Sequence, residues 1–301
     1  MGMRGTGMTA YSDVLIIGSG VSGLSFALKV ARFSRVTLIT KKKKADSATN
    51  LAQGGVAAVL SVEDSVEAHV TDTLVSGDGL CIEEIVRIVT TEGPARVREL
   101  VEFGVRFQKG EHGEEFDLVM EGGHSTRRVA HASDLTGKEI ERALLAQIAQ
   151  HPNIEVLENH LAIDLLIESK ALGRERQEGD RCLGAYVLNR ITGEVETRLA
   201  GVTVLCTGGC GKVYLYTTNP DIATGDGVAM AYRAGARVAN LEFIQFHPTC
   251  FFNREAKNIL ISEAVRGEGG VLINQQGEAF MTKYDPRGDL ATRDAVARGI
   301  D

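Results

Sequence analysis

A glycine-rich turn near the start of the chain constrains the fold more than any other feature. An apolar, β-branched run at residues 13–17 leads directly into Gly18-Ser19-Gly20-Val21-Ser22-Gly23, and helical spacing follows over residues 24–33. A second apolar run at residues 36–40 completes a strand–turn–helix–strand unit of about thirty residues. In this context G-x-G-x-x-G is the turn with which a parallel α/β sheet binds a dinucleotide.

The glycines of this turn each have a physical role in such a site. Gly18 permits the tight turn, Gly20 lets the backbone approach a pyrophosphate, and Gly23 lets the helix pack closely on the strand. The amides at the helix N-terminus then face the diphosphate, and the helix dipole favours its negative charge. An ordinary NAD site would have an acidic residue at the end of the second strand, where this chain has Thr40 and Lys41. The sequence therefore disfavours an ordinary NAD enzyme.

Three later segments are likewise rich in glycine and other small residues. Residues 47–55, with the sequence Ser-Ala-Thr-Asn-Leu-Ala-Gln-Gly-Gly, can lie along an extended ligand and offer it hydroxyls and backbone amides. A predicted buried strand at residues 202–206 runs into Thr207-Gly208-Gly209, and Gly225-Asp226-Gly227 precedes helical spacing over residues 227–234. Glycine accounts for 34 residues and proline for only 5, a composition that indicates tight turns rather than disorder.

The remaining patterns predict an alternating α/β chain. Helices are predicted over residues 83–105 and 136–150, the second with Asp134 as its N-cap. Strands are predicted at residues 154–157, 161–169, 182–189 and 194–199, the last two as a hairpin across an Ile-Thr-Gly turn. After Asn240, phenylalanine and polar residues replace the Ala/Gly/Val mixture and alternation is poor. This change predicts a domain boundary there.

Charge, hydropathy and cysteine usage argue against several classes of protein. A net charge of −7 argues against nucleic-acid binding. The absence of a run of about 18 apolar residues argues against a membrane-spanning helix, and the first residues lack the apolar core of a signal peptide. Five cysteines without a CxxC pair indicate reduced thiols and a cytoplasmic protein. Cys206 and Cys210 have no His or Cys partner nearby in the sequence, so no metal site is predicted.

Three further motifs follow the predicted boundary. They are Phe246-His247-Pro248-Thr249, Glu263-Ala264-Val265-Arg266-Gly267-Glu268-Gly269 and Arg293-Asp294-Ala295-Val296-Ala297-Arg298. With the earlier glycine-rich segments, they resemble the flavoprotein family that includes succinate dehydrogenase, fumarate reductase and L-aspartate oxidase, and the resemblance runs from about residue 12 to the end of the chain.

This resemblance implies FAD as the cofactor and an α/β fold in two parts. The first part is a Rossmann-like FAD-binding domain with a parallel sheet over residues 1–240, incomplete because it lacks its C-terminal segment. The second part is the start of an α+β capping domain over residues 241–301, which carries substrate ligands in the family.

The resemblance also implies which residues hold FAD. The turn at residues 18–23 resembles the pyrophosphate site, Lys41 the ribose-side contact and Ala162 an adenine-side backbone contact. The full implied set is Gly18, Ser19, Gly20, Val21, Ser22, Gly23, Lys41, Ala48, Thr49, Asn50, Leu51, Ala52, Gln53, Gly54, Gly55, Ala162 and Asp226. In membrane-linked members a histidine five residues before the glutamine of the QGG segment holds FAD covalently. This chain has Ala48 there, which implies non-covalent FAD.

The segment Glu121-Gly122-Gly123-His124-Ser125 resembles the L-aspartate oxidase members of the family, in which the glutamate meets the substrate amino group. A dicarboxylate without an amine gains nothing from another anion in its pocket, whereas an α-ammonium group is attracted to one. The resemblance therefore implies FAD-dependent oxidation of L-aspartate to iminoaspartate, with oxygen or fumarate as the electron acceptor. In the family this reaction is the first step of de novo NAD synthesis.

Other implied roles concern the substrate carboxylates and a proton. Both carboxylates must be held by fixed donors so that the substrate Cα–H faces the flavin. His247, Thr249 and Ser262 resemble such substrate-binding donors. Arg293 resembles the proton-shuttling arginine of the family, and Glu263 is a candidate relay partner, so these two are the implied catalytic residues.

Two alternatives remain open at this point. A soluble fumarate reductase or succinate-oxidising flavoprotein would share these motifs but would not need the Glu121 segment. The family also continues well beyond the length of this chain, so the second alternative is a fragment that holds FAD weakly and catalyses little or nothing. An assay with L-aspartate and with succinate separates the first alternative from the leading hypothesis.

Overall fold

The structure is a computed structural model, and it describes residues 9–110, 114–133, 135–175, 177–251, 253 and 259–301. The N-cap predicted at Asp134 lies outside these described residues. In chain order the strands and helices are β1 Thr9–Ile17, α1 Val21–Val30, β2 Val36–Ile39, β3 Val56–Ala57, α2 Val66–Ser76, α3 Glu83–Glu102, β4 Leu118–Val119, β5 Val129–Ala130, α4 Thr136–Gln150, β6 Ile154–Leu157, β7 His160–Ile167, α5 Glu168–Ala171, β8 Cys182–Asn189, β9 Val195–Leu205, α6 Asp226–Arg233, β10 Cys250–Phe251, β11 Ile259–Leu260, α7 Ala264–Gly267 and α8 Arg293–Ile300.

The chain forms two compact units, each made of two stretches of sequence. The first unit comprises residues 1–51 and 141–242, and the second comprises residues 52–140 and 243–301. This grouping differs from the predicted domains, which kept residues 52–140 with the glycine-rich segments. The domain assignment itself stays a prediction.

The first unit is built on a six-stranded sheet in the order β6-β2-β1-β9-β8-β7. β1 lies between β2 and β9 and is parallel to both, and β6 is parallel to β2. β8 is antiparallel to both β7 and β9. The predicted α/β fold with a parallel sheet is therefore confirmed, with an antiparallel extension on one side.

The centre of this sheet is buried on both faces. Leu15, Ile16, Leu38 and Ile39 expose none of their surface. Continuous apolar runs of this kind are typical of parallel strands that are covered on both sides. For this reason the apolar runs at residues 13–17 and 36–40 could be identified as strands from the sequence.

Strand β9 is one continuous strand, Val195–Leu205, whereas the sequence predicted two separate strands at residues 194–199 and 202–206. Its first part pairs antiparallel with β8, with Val195 opposite Leu188. The pairing with β1 is parallel and continues from Ala200 to Val202, so the ladder passes over Gly201. Because β1 supplies hydrogen-bonding partners on both sides of the glycine, Gly201 does not end the strand.

The second unit combines α2 and α3 with a three-stranded antiparallel sheet in the order β3-β5-β4 and the short pair β10-β11. Helix α2 was not predicted. It begins after Ser65, whose Oγ accepts a hydrogen bond from Ala68 N at 3.1 Å, and within it only His69 and Val70 are buried. An apolar face this narrow gives too little periodicity for prediction.

Helix α3 ends at Glu102, three residues before the predicted end. Gly104 has φ +95°, a left-handed conformation that ends a helix and that glycine adopts at little cost. Within the described part of the chain, no helix combines the length and hydropathy required to cross a bilayer.

Candidate functional site

A cavity of about 410 Å³ lies in the first unit, at the carboxyl ends of β1, β2 and β9. The chain runs from β1 to β2 on one side, while β9 flanks β1 on the other, so this is the switch point at which parallel α/β sheets bind ligands. Ten of the predicted FAD-binding residues line it, namely Gly18, Ser19, Gly20, Val21, Ser22, Lys41, Ala48, Thr49, Ala162 and Asp226. The structure therefore brings the turn after β1 together with residues more than 200 positions later in the chain.

The turn after β1 has the geometry predicted for its glycines. Gly18 has φ +116°, and a Cβ there would overlap the carbonyl oxygen of Cys206. A Cβ on Gly23 would overlap the carbonyl oxygen of Gly18, so the start of α1 packs directly on the turn. A Cβ on Gly20 would meet only Thr49 Oγ1 at 3.4 Å, because this residue faces the cavity.

Lys41 and Asp226 form an ion pair on the wall of this cavity. Lys41 Nζ also donates to Thr224 Oγ1 at 2.6 Å. Burial raises the pKa of Asp226, but the hydrogen bonds from Lys41 and Thr224 outweigh burial, and the net pKa lies below its ordinary value. Asp226 of α6 thus lies beside Lys41, at the end of the second strand where an ordinary dinucleotide site has its own acidic residue.

The segment that follows β2 is anchored by a buried carboxyl group. Ser47 Oγ donates to Glu141 Oε1 at 2.7 Å and accepts from Asn50 N at 3.1 Å. Burial raises the pKa of Glu141 to about 7, against the opposing effect of the Ser47 hydrogen bond. Asn50 and Leu51 lie in a 3-10 helix at Thr49–Leu51 and, like Gly23, do not line the cavity.

The last four residues of the predicted FAD segment, Ala52, Gln53, Gly54 and Gly55, belong to the second unit. Gln53 Oε1 is buried and has no hydrogen-bond partner among the described residues. An ideal Cβ on Gly54 would lie 3.0 Å from Glu121 Oε1. The structure therefore places a predicted substrate residue directly beside a predicted cofactor residue.

Around Glu121 the second unit assembles a cluster of charged side chains. Arg293 Nε forms an ion pair with Glu263 Oε2, and Arg293 Nη2 lies 3.8 Å from Glu121 Oε2. The second oxygen of Glu263 accepts from Gly122 N at 3.1 Å. Three of the predicted residues, Glu121, Glu263 and Arg293, are thereby brought together.

Burial and the neighbouring charges in this cluster shift the pKa of Glu121 in opposite directions. Burial and the neighbouring Glu263 raise the pKa of Glu121, whereas the charges of Arg293 and Arg266 lower it. The net pKa lies above the ordinary value. An ammonium group placed beside Glu121 would favour its ionised form, because opposite charges at close range stabilise each other.

His247 is half-buried and uncharged near neutral pH. Burial lowers its pKa, the hydrogen bond with Thr249 opposes this, and the positive charge of Arg293 lowers it further. His247 Nδ1 lies 2.9 Å from the carbonyl oxygen of Thr249. The ring can therefore contribute a hydrogen bond to a substrate but not a fixed positive charge.

The hydroxyl groups of Thr249 and Ser262 have local partners in the structure. Thr249 Oγ1 donates to the carbonyl oxygen of Ile261 at 3.1 Å. Ser262 Oγ accepts from Ala264 N at 3.3 Å. Their roles as substrate donors stay predictions.

Residues 13–301 match the family model described as "FAD binding domain". The chain belongs to this FAD-binding family. FAD is its cofactor, as the sequence implied.

Curated relatives of this flavoprotein include two L-aspartate oxidases. That of Pseudomonas aeruginosa is 53% identical over 295 residues, covering 96% of this chain and 54% of the relative. The chloroplastic L-aspartate oxidase of Arabidopsis thaliana is 50% identical over 302 residues, covering 97% of this chain and 45% of the relative. The chain thus spans about half the length of the curated relatives it matches.

Solved structures similar to this flavoprotein include a fumarate reductase and an Sdh1 complex. The quinol fumarate reductase of E. coli has a TM-score of 0.88 at 30% identity, covering 97% of this chain and 50% of that chain. The Sdh1 complex of Mycobacterium smegmatis has a TM-score of 0.79 at 34% identity, covering 96% and 48% respectively. The predicted resemblance is confirmed.

The residues of the flavoprotein's cavity fit FAD. Gly20 leaves room where a diphosphate would approach, and the first amides of α1 have no partner within the helix, the first of them, Val21 N, donating to Thr49 Oγ1 at 3.0 Å. The Lys41–Asp226 pair offers a donor and an acceptor suited to hydroxyl groups. Ala48 lines the cavity with a methyl group, which cannot form a covalent bond to the cofactor. When bound, FAD would be held by these non-covalent contacts.

Two members of the charged cluster were not predicted. Gln245 Oε1 accepts from Arg293 Nη1 at 3.1 Å. Arg266 is buried, donates to the carbonyl oxygen of Asp289 at 2.7 Å, and lies 3.6 Å from Glu263 Oε1. Arg266 follows Glu263 by three positions, the spacing at which helical side chains meet, and this spacing could have identified the pair.

Proposed function

We propose that the protein oxidises L-aspartate to iminoaspartate with FAD and passes the electrons to oxygen or fumarate. The observation that carries this proposal is the position of Glu121, a carboxylate that is 13% exposed beside Gly54 and 3.8 Å from Arg293. An anion held among cationic groups in this way provides a specific partner for the substrate's α-ammonium group. The relatives named L-aspartate oxidase support the same substrate.

In this proposal the chain's own residues bind and orient the substrate. Glu121 pairs with the ammonium group, while Arg293 and the donors His247, Thr249 and Ser262 hold the two carboxylates. Holding both ends of a short dicarboxylate fixes the direction of its Cα–H bond. Bound FAD supplies the acceptor for the hydride that leaves this carbon.

Proton transfer is assigned to Arg293 and Glu263. A guanidinium group alone hardly deprotonates in a protein. During fumarate reduction Arg293 gives a proton to the substrate, and its direct contact with the buried Glu263 lets that carboxyl group return a proton to the guanidinium group; during oxidation the proton passes in the opposite direction. Gly122 N and Arg266 hold Glu263 in position for this exchange.

A soluble fumarate reductase is the second candidate, and one observation favours it. Burial raises the pKa of Glu121, and a protonated Glu121 no longer repels a dicarboxylate that lacks an amine. The similarity to the fumarate reductase of E. coli is consistent with this reading. Fumarate would then bind in the same cluster. Fumarate accepts electrons there, whereas L-aspartate donates them.

Steady-state assays with L-aspartate and succinate distinguish the two candidates. We expect consumption of L-aspartate with release of ammonia after hydrolysis of the imine, and slower or no oxidation of succinate. Oxidation of succinate without oxidation of L-aspartate would contradict the proposal. The same assays run with oxygen and with fumarate identify the acceptor.

The place of the reaction in the cell is also a proposal. The five cysteines are all free in the structure, which suits a reducing compartment, and we propose the cytoplasm. The chloroplastic relatives show that the compartment differs among similar proteins. We further propose that the iminoaspartate enters de novo NAD synthesis. Measuring NAD levels in cells that lack this gene product, with and without supplied pyridine precursors, tests this assignment.

A further inference from the structure

A buried ion cluster lies beneath the loop that carries Glu121. Arg128 exposes none of its surface, and its guanidinium group forms two 2.9 Å hydrogen bonds to Asp64. It also donates to Asp72 at 2.6 Å. The side chain of Asp64 is fully buried and that of Asp72 is 14% exposed. Arg128 follows the Glu121–Ser125 segment that was singled out from the sequence, whereas Asp64 and Asp72 were not singled out.

Asp72 connects this cluster to the loop. One of its carboxylate oxygens, Oδ2, accepts hydrogen bonds from Ser125 N and Ser125 Oγ, both at 2.8 Å, as well as from Arg128. Burial raises the pKa of Asp72, but the bonds from Ser125 and Arg128 outweigh burial and keep it below its ordinary value. The carboxylate therefore stays charged and holds Ser125 in place at neutral pH.

Helix α2 presents further residues to the same loop. His69, Asp72 and Ser76 are three and four positions apart, so they lie on one face of the helix. The ring of His69 packs edge-on against that of His124, with centroids 5.8 Å apart. An ideal Cβ on Gly123, which has φ +85°, would lie 2.9 Å from Ser76 Oγ. The loop thus rests directly on α2.

The loop is short, and its far end carries Glu121. Gly122 N donates to Glu263, and His124 N donates to the carbonyl oxygen of Glu121 at 3.3 Å. The carboxylate of Glu121 lies 3.8 Å from Arg293, beyond hydrogen-bond distance. Its position is therefore set more by the backbone of the loop than by its own side-chain contacts.

We propose that Asp72 is a positioning residue that fixes the Glu121 carboxylate, through Ser125 and Arg128, and thereby sets the preference for dicarboxylates that bear an α-ammonium group over those that lack one. This inference rests on the proposed function of Glu121. Asp72 itself touches no substrate. A shift of the loop weakens the ammonium contact and leaves the carboxylate contacts of the substrate in place.

The test measures the dissociation constants of L-aspartate and succinate by anaerobic titration calorimetry on the full chain with FAD bound and reduced beforehand, so that neither ligand is oxidised during the titration. In Asp72→Asn we expect the preference for L-aspartate over succinate to fall about tenfold, because a charged hydrogen-bond acceptor of the loop becomes neutral. The control Glu67→Gln removes an exposed carboxylate from the same helix, and the preference should not change. A merely structural defect would weaken both ligands equally and leave their ratio unchanged.

Two further variants make every outcome decisive. Ser125→Ala removes one hydrogen bond and keeps the buried ion cluster, so it tests the connection even if Asp72→Asn does not fold; we expect a fall of about threefold. In the Glu121→Gln background, Asp72→Asn should no longer change the ratio, because coupled residues are not additive. An unchanged ratio in Ser125→Ala and in any folded Asp72→Asn, together with a loss of preference in Glu121→Gln, would overturn this inference alone. An unchanged ratio in Glu121→Gln would overturn the proposed function and the inference together.

Discussion

The surroundings of Glu121 have opposing effects on its pKa. Burial and Glu263 favour its neutral form, while Arg293 and Arg266 favour the anion. Its state therefore depends on what else occupies the cluster, and an ammonium group shifts the balance toward the anion. A single carboxyl group can in this way discriminate between an amino dicarboxylate and one without an amine.

The first prediction concerns this carboxyl group. Glu121→Gln should raise the KM for L-aspartate about tenfold to a hundredfold, the loss typical of a charged hydrogen bond, and should leave fumarate binding unchanged or tighter. In the wild type, affinity for L-aspartate should fall as the pH drops through the raised pKa of Glu121, since protonation removes the anion. Steady-state kinetics over a pH series measure both effects. A pH profile of KM that is identical in the variant would contradict this role.

A second prediction concerns Glu141, beneath the segment that follows β2. Its pKa of about 7 in the folded protein exceeds the ordinary value of 4.5, so the folded state binds an extra proton between these limits. The contribution of Glu141 to the free energy of unfolding should therefore be highest below pH 4.5 and should decrease by about 3 kcal/mol as the pH rises to 7. Glu141→Gln should remove this decrease.

Urea unfolding at several pH values without added FAD measures this effect. Ser47→Ala is the matched comparison, because the Ser47 hydrogen bond lowers the pKa of Glu141 and its loss should make the decrease steeper. A Glu141→Gln variant with the same pH dependence as the wild type would exclude the assignment.

At the scale of helices and strands, structure that follows from local sequence patterns could be predicted. Contacts between residues that are distant in the sequence could not. The β1–α1–β2 unit follows from a continuous strand–turn–helix–strand pattern in which Gly23 packs on Gly18 five positions earlier, although Gly18 itself approaches Cys206, which is distant in the sequence. The partners of Arg128 are 64 and 56 positions away, at Asp64 and Asp72, and no local periodicity indicates them. Helix α2, which carries Asp72, has too narrow an apolar face to be recognised.

The packing of α1 on the turn gives a prediction at this scale. Gly23→Ala should destabilise the fold by about 1–3 kcal/mol and weaken FAD binding, because the new methyl group would overlap the carbonyl oxygen of Gly18. The same substitution in another helix is the control. At Gly93 in α3 the added Cβ would make an ordinary 3.5 Å contact with Ala58, and Gly93→Ala should stabilise by about 0.5–1 kcal/mol.

Thermal unfolding and FAD fluorescence titration measure these changes. Equal effects of Gly23→Ala and Gly93→Ala would contradict this prediction. They would mean that the close approach of α1 to the turn contributes nothing to stability or to FAD affinity. Both substitutions add one methyl group to a glycine within a helix, and the space around that methyl group differs between the two positions.

At the scale of the whole molecule, the residues implied by the family resemblance fall into two groups. The cavity of the first unit collects ten of the predicted FAD contacts, and the second unit collects Glu121, Glu263 and Arg293. The family motifs predicted both groups. Gln245 could not be assigned from residue type alone, because a glutamine gains its role only from the side chains that the fold brings to it, whereas the spacing of Arg266 from Glu263 was present in the sequence.

Reduction of the bound flavin by its substrate, followed in the absence of oxygen, tests the central claim most directly. The purified flavoprotein is mixed with L-aspartate or with succinate, and the absorbance of the oxidised flavin is recorded over time. We predict that L-aspartate bleaches the flavin and that succinate does so more slowly or not at all. Bleaching by succinate without bleaching by L-aspartate, or no bleaching by either in a protein that holds FAD, would contradict the account.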